Sequence, residues 1–380
     1  MRDRKLLIVV NEDRFFLSHR KEVGVRARAA GWDVTVVAKD TGVKGEIEAL
    51  GLNFVDLPIN PTGKNPLQEM RVVRFLSNLY KKNSDAIVHH VGLKLLLWGS
   101  LASKMSPVRG TVNALSGLGT LFTGERPSRL IYLMYPLLRF CKRRSKNIHY
   151  IFQNNDDRQV FEDQKLLGID DNHLIRGAGI DLEKFAYRPI RHGGTVKVVF
   201  TGRMLEEKGV LDLVKAAEIL RPKYEGKVEF ILCGALSKNP SALSEKEIRE
   251  LTDGRYIKWL GYLPDVRNVL VDSTIYCLPS HREGFPKSVI EASAIGRPIV
   301  TYNSVGCRDT VEQGKNGFKV PLRDYKSLAE SLDMLISDPA LCDRMGMASR
   351  KIAEKTYDIN FVVGKHLQIY DRLYRNSKES

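Results

Sequence analysis

Short apolar runs alternate with helical stretches along this chain, and near residue 190 the alternation starts afresh. That order is the pattern of parallel α/β units, because a parallel strand pair needs a helical crossover between its members. In the first half the spacing predicts strands over 6–10, 33–38, 54–57, 86–90, 110–114 and 150–153, with helices over 19–30, 45–50 and 156–167 among them. Arg188-Pro189 and His192-Gly193-Gly194 then form a turn-rich, linker-like stretch. Strands follow over 196–200, 228–233, 257–260, 275–278 and 298–302, with a helix over 211–220, and 351–375 reads as one or two terminal helices. A length of 380 residues exceeds one ordinary core. The expectation is two successive α/β domains, 1–188 and 189–355, followed by terminal helices over 356–380.

Composition narrows the class. Hydrophobic content of 43% with 28% charged residues fits a folded protein and excludes a largely disordered one. The net charge of +15 is uneven, since residues 1–195 hold 31 Lys and Arg against 20 Asp and Glu. A basic first half attracts nucleic acid or an anionic membrane, with each cation near such a surface worth roughly 1 kcal/mol. Cys141, Cys233, Cys277, Cys307 and Cys342 are scattered without CxxC spacing, which argues for a reducing cytosol and against a disulfide framework or zinc site. The apolar run at the N-terminus is short for a signal peptide and reads as a first strand. No run of about 18 apolar residues is present to span a bilayer.

The first chemical signal is SHREGFPKSVIEASAIG over Ser280–Gly296. Pro286 suits the first turn of a helix, Glu291 falls about a turn later, and Gly296 can cap the end. Glu283 then sits in the loop before the helix N-terminus, where unpaired amides and the helix dipole attract an anion such as a diphosphate. Two carboxylates so placed suit ribose hydroxyls and a transferred sugar, although spacing alone also fits a capped helix with two surface glutamates. The second signal is FTGRMLEEKGV at 200–210. Gly202 at a strand end allows close approach of a ligand, and Arg203 and Lys208 can embrace a diphosphate. By itself this stretch fits a solvated basic loop equally well, and it is not a Walker loop, because GxxxxGK[ST] is absent.

Both signals, in this order within one α/β domain, resemble the retaining nucleotide-sugar glycosyltransferases of family 4 (glycosyl transferases group 1). The likeness is strongest over 198–317 and includes GR at 202–203, LPSHREGFPKSVIEA, the small-residue run 292–296 and GKNGF at 314–318; Gly179-Ile180-Asp181 and Phe185 match the family's interdomain segment. It implies the GT-B fold, with two Rossmann-like domains facing a central cleft and terminal helices crossing back to the N-domain. It implies that Gly202, Arg203 and Lys208 bind the donor diphosphate and that Glu291 binds ribose. Backbone around Gly284, Phe285 and Pro286 is expected to hold the sugar, with Glu283 beside it as the catalytic candidate. A narrower likeness, carried by KNPS at 238–241, EGFPKSVIEA, SGLG at 116–119 and FLSHR at 16–20, is to bacterial transferases that add N-acetylgalactosamine or another hexosamine to undecaprenyl-diphosphate sugars.

Two departures affect the acceptor side. A histidine common in the family after a central N-domain strand is replaced by Ser116 and Gly117, so His90 is a candidate substitute, although a histidine at a strand end is more often structural. The N-terminal glycine pair of many relatives is replaced by Asn11-Glu12-Asp13, with His19 and Arg20 as cleft candidates. Apolar residues followed by cations over 127–146 have the composition of a segment lying on an anionic membrane, and fit a buried helix with a basic face equally well. The expectation is therefore a metal-independent hexosyltransferase without a cofactor, using a UDP-linked donor and a lipid-linked sugar acceptor. It would work peripherally on the cytoplasmic face of the inner membrane in polysaccharide or lipopolysaccharide synthesis, with no nucleic-acid partner. The alternatives are a nucleotide-sugar epimerase on the same scaffold and a non-enzymatic basic binding protein.

Overall fold

The computed structural model describes residues 4–61, 63, 65–118, 130–143, 147–168, 170–237, 239 and 241–376. It divides into two compact units, one formed by 1–178 with 360–380 and the other by 179–359. Segment 179–188, read from sequence as part of the first domain, packs in the second unit. There the Ile180 N–H donates to Tyr357 O (2.8 Å) and Arg188 N–H to Ile295 O (3.0 Å).

The first unit holds seven parallel strands: β1 (Arg4–Glu12), β2 (Trp32–Lys39), β3 (Asn53–Asp56), β4 (Ile87–Val91), β5 (Gly110–Leu115), β6 (Ile148–Phe152) and β7 (Asn172–Leu174). Their spatial order is β3-β2-β1-β4-β5-β6-β7. The second unit has six: β8 (Val196–Thr201), β9 (Val228–Cys233), β10 (Ile257–Trp259), β11 (Ile275–Leu278), β12 (Ile299–Tyr302) and β13 (Gly317–Val320), in the order β10-β9-β8-β11-β12-β13. In each sheet the chain reverses its direction of growth beside the first strand, between β1 and β4 and between β8 and β11. Doubly wound sheets of this kind bind ligands outside the carboxyl ends of the strands at that switch point. The central strands are buried on both faces, as Ile8, Val88, Val199 and Cys277 show, because helices cover both sides.

The last helix, Ile359–Asn376, packs on the first sheet. Arg4 ion-pairs with Asp371 (2.8 Å), and the Trp32 ring meets Tyr370 and Tyr374 edge-on. Imidazoles gather where this helix meets the sheet. His89 Nδ1 bonds Tyr370 Oη (2.6 Å), His149 stacks on His173 with Nδ1 to Nε2 at 2.8 Å, and His366 Nδ1 donates to Val362 O (2.9 Å). Burial, with repulsion from neighbouring histidines and from Arg20, holds His89 well below the usual 6.5. Burial likewise brings His149 to about 4 and His366 to about 3.

The helix Leu130–Lys142 covers the central part of the basic segment 127–146, whose remaining residues at 127–129 and 144–146 lie outside the described ones. Met134, Tyr135 and Leu138 form its inward stripe and pack with Leu96, Leu115 and Phe161, and Cys141 is buried on the same helix. Two of the segment's apolar residues, Met134 and Leu138, are therefore committed to the core, as the buried-helix reading requires. Phe140 is exposed, and Lys142 is tied to Asp171 (2.8 Å).

Histidines that stay neutral when folded but bind protons when unfolded make stability rise with pH. The stabilisation is complete above 6.5 and is lost as pH falls from there toward the folded values. We expect the thermal midpoint to fall between pH 6.5 and 5, above the carboxylate range, each such histidine contributing up to about 1.4 kcal/mol per pH unit. The variant His366→Leu should show a shallower slope in the same thermal scans. A midpoint that does not change over this window would refute the assignment.

Candidate functional site

In the second unit the loops leaving β8 and β11 lie side by side at the switch point. After Thr201 the chain passes Gly202 and the exposed Arg203, then makes a short 3-10 turn over Glu206–Lys208. Gly202 N–H donates to Cys233 O (2.9 Å), and a Cβ on Gly234 would lie 1.7 Å from Gly202 O. The strand end is thus held by a backbone approach that only glycine permits at 234. Asn239 and Ser241, from the stretch 238–241, brace the same loop, since Glu206 N–H donates to Ser241 O (3.0 Å). Lys238 and Pro240 lie outside the described residues.

Gly209 ends the turn with φ +74° and precedes the helix Val210–Tyr224. A Cβ there would stand 1.9 Å from Pro279 O, so the turn is pressed directly on the segment that follows β11. Two further bonds converge on Glu207 O, from His281 N–H (2.8 Å) and Ser280 Oγ (3.1 Å). Below them Ser304 Oγ donates to Ser280 O (2.6 Å), and His281 Nε2 meets Asp212 Oδ2 at 3.1 Å. This bracing brings Lys208 and Glu283 together, with Nζ to Oε1 at 2.5 Å.

Beyond Glu283 the chain enters the helix Lys287–Ile295, whose N-cap position is Pro286 and whose first turn has neither a side-chain cap nor an acidic residue. Pro286 therefore stands just before the helix rather than in its first turn. Val289 and Ile290 amides reach back to Pro286 O, and the helix start is a positively polarised end. Gly284 is half-buried, while the Phe285 ring packs edge-on against Tyr357 (5.4 Å) in a small apolar cluster with Ile180 and Ile290. Phe285 can thus offer a ligand only its backbone. Glu291 lies one turn into the helix, largely buried, with Lys287 Nζ at 3.5 Å. Burial raises its pKa against the pull of Lys287.

GKNGF at 314–318 is a packing motif. Asn316 is fully buried, accepts from Glu312 N–H (2.8 Å) and donates to Thr310 O (3.2 Å). Gly317 sits where a Cβ would be 1.8 Å from Ile299 O. Spacing did not reveal the supports Ser280, His281, Asp212 and Gly234, because each acts through one bond or one close approach to a distant part of the chain.

The first-unit candidates fare differently. His90, considered as a ligand-facing substitute, is turned into the core with both ring nitrogens engaged. Its Nδ1 donates to Asn113 Oδ1 (2.8 Å), because the Asn113 amide nitrogen is used on Ser100 Oγ (3.0 Å). Tyr80 O–H then donates to His90 Nε2 (2.8 Å), and burial lowers the imidazole to about 4. Arg20 is also buried rather than lining a surface. Its Nη1 donates to His19 O (3.0 Å), and burial lowers it to about 10. His19 is partly exposed, stacked on Phe15 with centroids 4.5 Å apart. Ser116 and Gly117 do follow the carboxyl end of β5, and the buried Ser116 Oγ has no hydrogen-bond partner among the described residues.

The close approach at Gly209 gives a direct test. Gly226 also has positive φ, +81°, but no atom lies within 4 Å of its Cβ position. Gly226→Ala should cost only the left-handed backbone strain, about 1–2 kcal/mol. Gly209→Ala adds an overlap with Pro279 and should lose clearly more stability in denaturant titration; equal losses would contradict the packing of the two loops.

Family comparisons agree with this architecture. The family model "Glycosyl transferases group 1" matches residues 188–352, and "Glycosyl transferase 4-like" matches 5–155. The N,N'-diacetylbacillosaminyl-diphospho-undecaprenol alpha-1,3-N-acetylgalactosaminyltransferase of Campylobacter jejuni is 24% identical over 360 residues, covering 90% of this chain and 92% of its own. An Escherichia coli UDP-Gal:alpha-D-GlcNAc-diphosphoundecaprenol alpha-1,3-galactosyltransferase is 25% identical over 328 residues, covering 82% of this chain and 81% of its own. Among solved structures, Anabaena HepE in complex with UDP and glucose superposes with TM-score 0.74 at 16% identity, over 96% of this chain and 98% of that one. With a glycosyl transferase 4-like model over the first half and a glycosyl transferases group 1 model over the second, the chain is a glycosyltransferase.

Proposed function

We propose that this glycosyltransferase moves an N-acetylhexosamine from a UDP-linked donor to a polyprenyl-diphosphate-linked saccharide, with retention of configuration and without a metal ion. The observation that carries the reading is the meeting of Lys208 and Glu283, with Arg203 exposed on the Lys208 loop and the start of the helix Lys287–Ile295 following Glu283, at the switch point of one sheet. In this reading Arg203, Lys208 and the amides at 287–288 hold the donor diphosphate, with the Gly202 strand end leaving room for it. Glu291 accepts from the ribose hydroxyls; the backbone at Gly284, Phe285 and Pro286, together with Glu283, addresses the sugar. As the bond to the sugar breaks, negative charge grows on the leaving diphosphate. Fixed cations and amides then stabilise the transition state more than the ground state. Those cations fill the role a metal would otherwise take. Retention follows from front-side displacement, in which the departing phosphate takes the proton of the incoming acceptor hydroxyl.

The acceptor class is supported by the two relatives whose names specify undecaprenyl-diphosphate sugars. Ser116, Gly117 and His19 in the first unit are the acceptor-side candidates. The basic first half and the helix Leu130–Lys142, with Arg139 and Phe140 exposed on it and Arg143 exposed just after it, support peripheral contact with an anionic bilayer at the cytoplasmic face of the inner membrane. No helix among the described residues is long and apolar enough to cross a membrane.

A screen of UDP- and GDP-sugars against polyprenyl-diphosphate saccharides, read by product mass and linkage, tests the reading. Transfer is expected from a UDP-N-acetylhexosamine, with the donor's anomeric configuration kept and no loss on adding EDTA. Glu283→Ala and Lys208→Ala should each raise the barrier by at least about 2–3 kcal/mol, the typical loss for a preorganised charged contact. Turnover near the wild-type rate in both variants sinks the site assignment.

A further inference from the structure

Lys208 and Glu283 make a close, sheltered pair, with side chains 19% and 13% exposed. Arg203, the other cation assigned to the diphosphate, is exposed on the same loop. The two cations are therefore not equivalent. Arg203 can meet an anion directly, whereas an anion that takes Lys208 must compete with a carboxylate already on it.

The backbone limits how that competition can be resolved. Glu283 N–H donates to Val305 O (2.9 Å), and Gly306 is packed so tightly that a Cβ on it would lie 2.3 Å from Glu283 O. Glu283 is thus anchored from behind. Lys208 ends a four-carbon stem and can redirect its ammonium group without moving its backbone. A carboxylate next to an incoming diphosphate also repels it, and in a poorly screened site that repulsion is felt strongly.

We propose that Glu283 is a positioning residue as well as a sugar contact, competing with the nucleoside diphosphate for Lys208, so that donor binding transfers Lys208 from carboxylate to phosphate. The exchange frees Glu283 to accept hydrogen bonds from the transferred sugar only once the diphosphate is in place. It sets a cost on binding the nucleotide that complete donor recovers through its sugar, which favours intact nucleotide sugar over the bare nucleotide. The inference rests on the donor-site reading given above.

Calorimetric titration of the full chain with UDP and with UMP tests it, using wild type, Glu283→Gln, Lys208→Ala and the double variant. Removing the competing charge should make Glu283→Gln bind UDP about tenfold tighter while its transfer rate falls. The gain should be smaller for UMP, which lacks the terminal phosphate, and smaller in the Lys208→Ala background, where only the direct repulsion is relieved; an equal gain in that background overturns the exchange. Glu283→Ala, which also releases Lys208, must shift UDP affinity in the same direction and serves if the glutamine variant is poorly folded. If Lys208→Ala weakens UDP but neither Glu283 variant tightens it, the exchange is wrong and the donor site stands. If wild type binds no UDP, or Lys208→Ala binds it as well as wild type, the donor-site reading and the exchange both fail.

Discussion

The second unit depends on the contact between the turn after β8 and the segment after β11. Glu207 O receives two donors from Ser280 and His281, Gly209 presses on Pro279, and Lys208 closes on Glu283. Neither loop has a regular ladder to fix it, so these few bonds replace one. They are also made at the edge where the sheet topology opens a crevice. The residue types at that edge follow from this double demand. Glycine stands at 209 and 234 because backbone must approach backbone, and serine at 280 and 304 because short hydroxyls can reach carbonyls that no strand satisfies.

The same contact governs the charge at the site. In the proposed donor site a diphosphate would need positive potential, and Arg203, Lys208 and the start of the helix Lys287–Ile295 would supply it, with the Glu283 carboxylate already on Lys208. Glu283 cannot be understood as a simple sugar ligand when its nearest partner is the lysine assigned to phosphate. Glu291 is different in kind. It is buried along the helix with Lys287 beside it, and in the proposed site it would accept from neutral hydroxyls, where a fixed orientation matters more than net charge.

Much of this was legible in the amino-acid sequence, for definable reasons. Strands β8, β9 and β11 announce themselves as apolar runs bounded by polar turns, and the restart near residue 190 separates two sheets. Lys208 and Glu283 were separately visible as residue types suited to an anion and a sugar. Their pairing was not, because it joins positions 75 residues apart across a parallel sheet. His89 and His90 mark where pattern reading fails: adjacent strand residues point to opposite faces, one toward Tyr370 and the other toward Asn113. Both faces turned out to be buried, so exposure at the strand end could not be inferred. Arg20 shows the same limit, since a cation opening a helix is normally solvated, and only the fold reveals the packing that encloses it. In the segment 127–146 composition fitted a membrane-surface segment and a buried helix with a basic face equally, and the inward stripe of the helix uses Met134 and Leu138 for the core.

The central claim is that one nucleotide site forms where the β8 and β11 loops meet. Amide hydrogen exchange with and without saturating UDP addresses it most directly. Slowed exchange concentrated at 202–209 and 283–289 is the predicted result. Protection located elsewhere in the chain, or none under conditions where UDP is bound, would contradict the account.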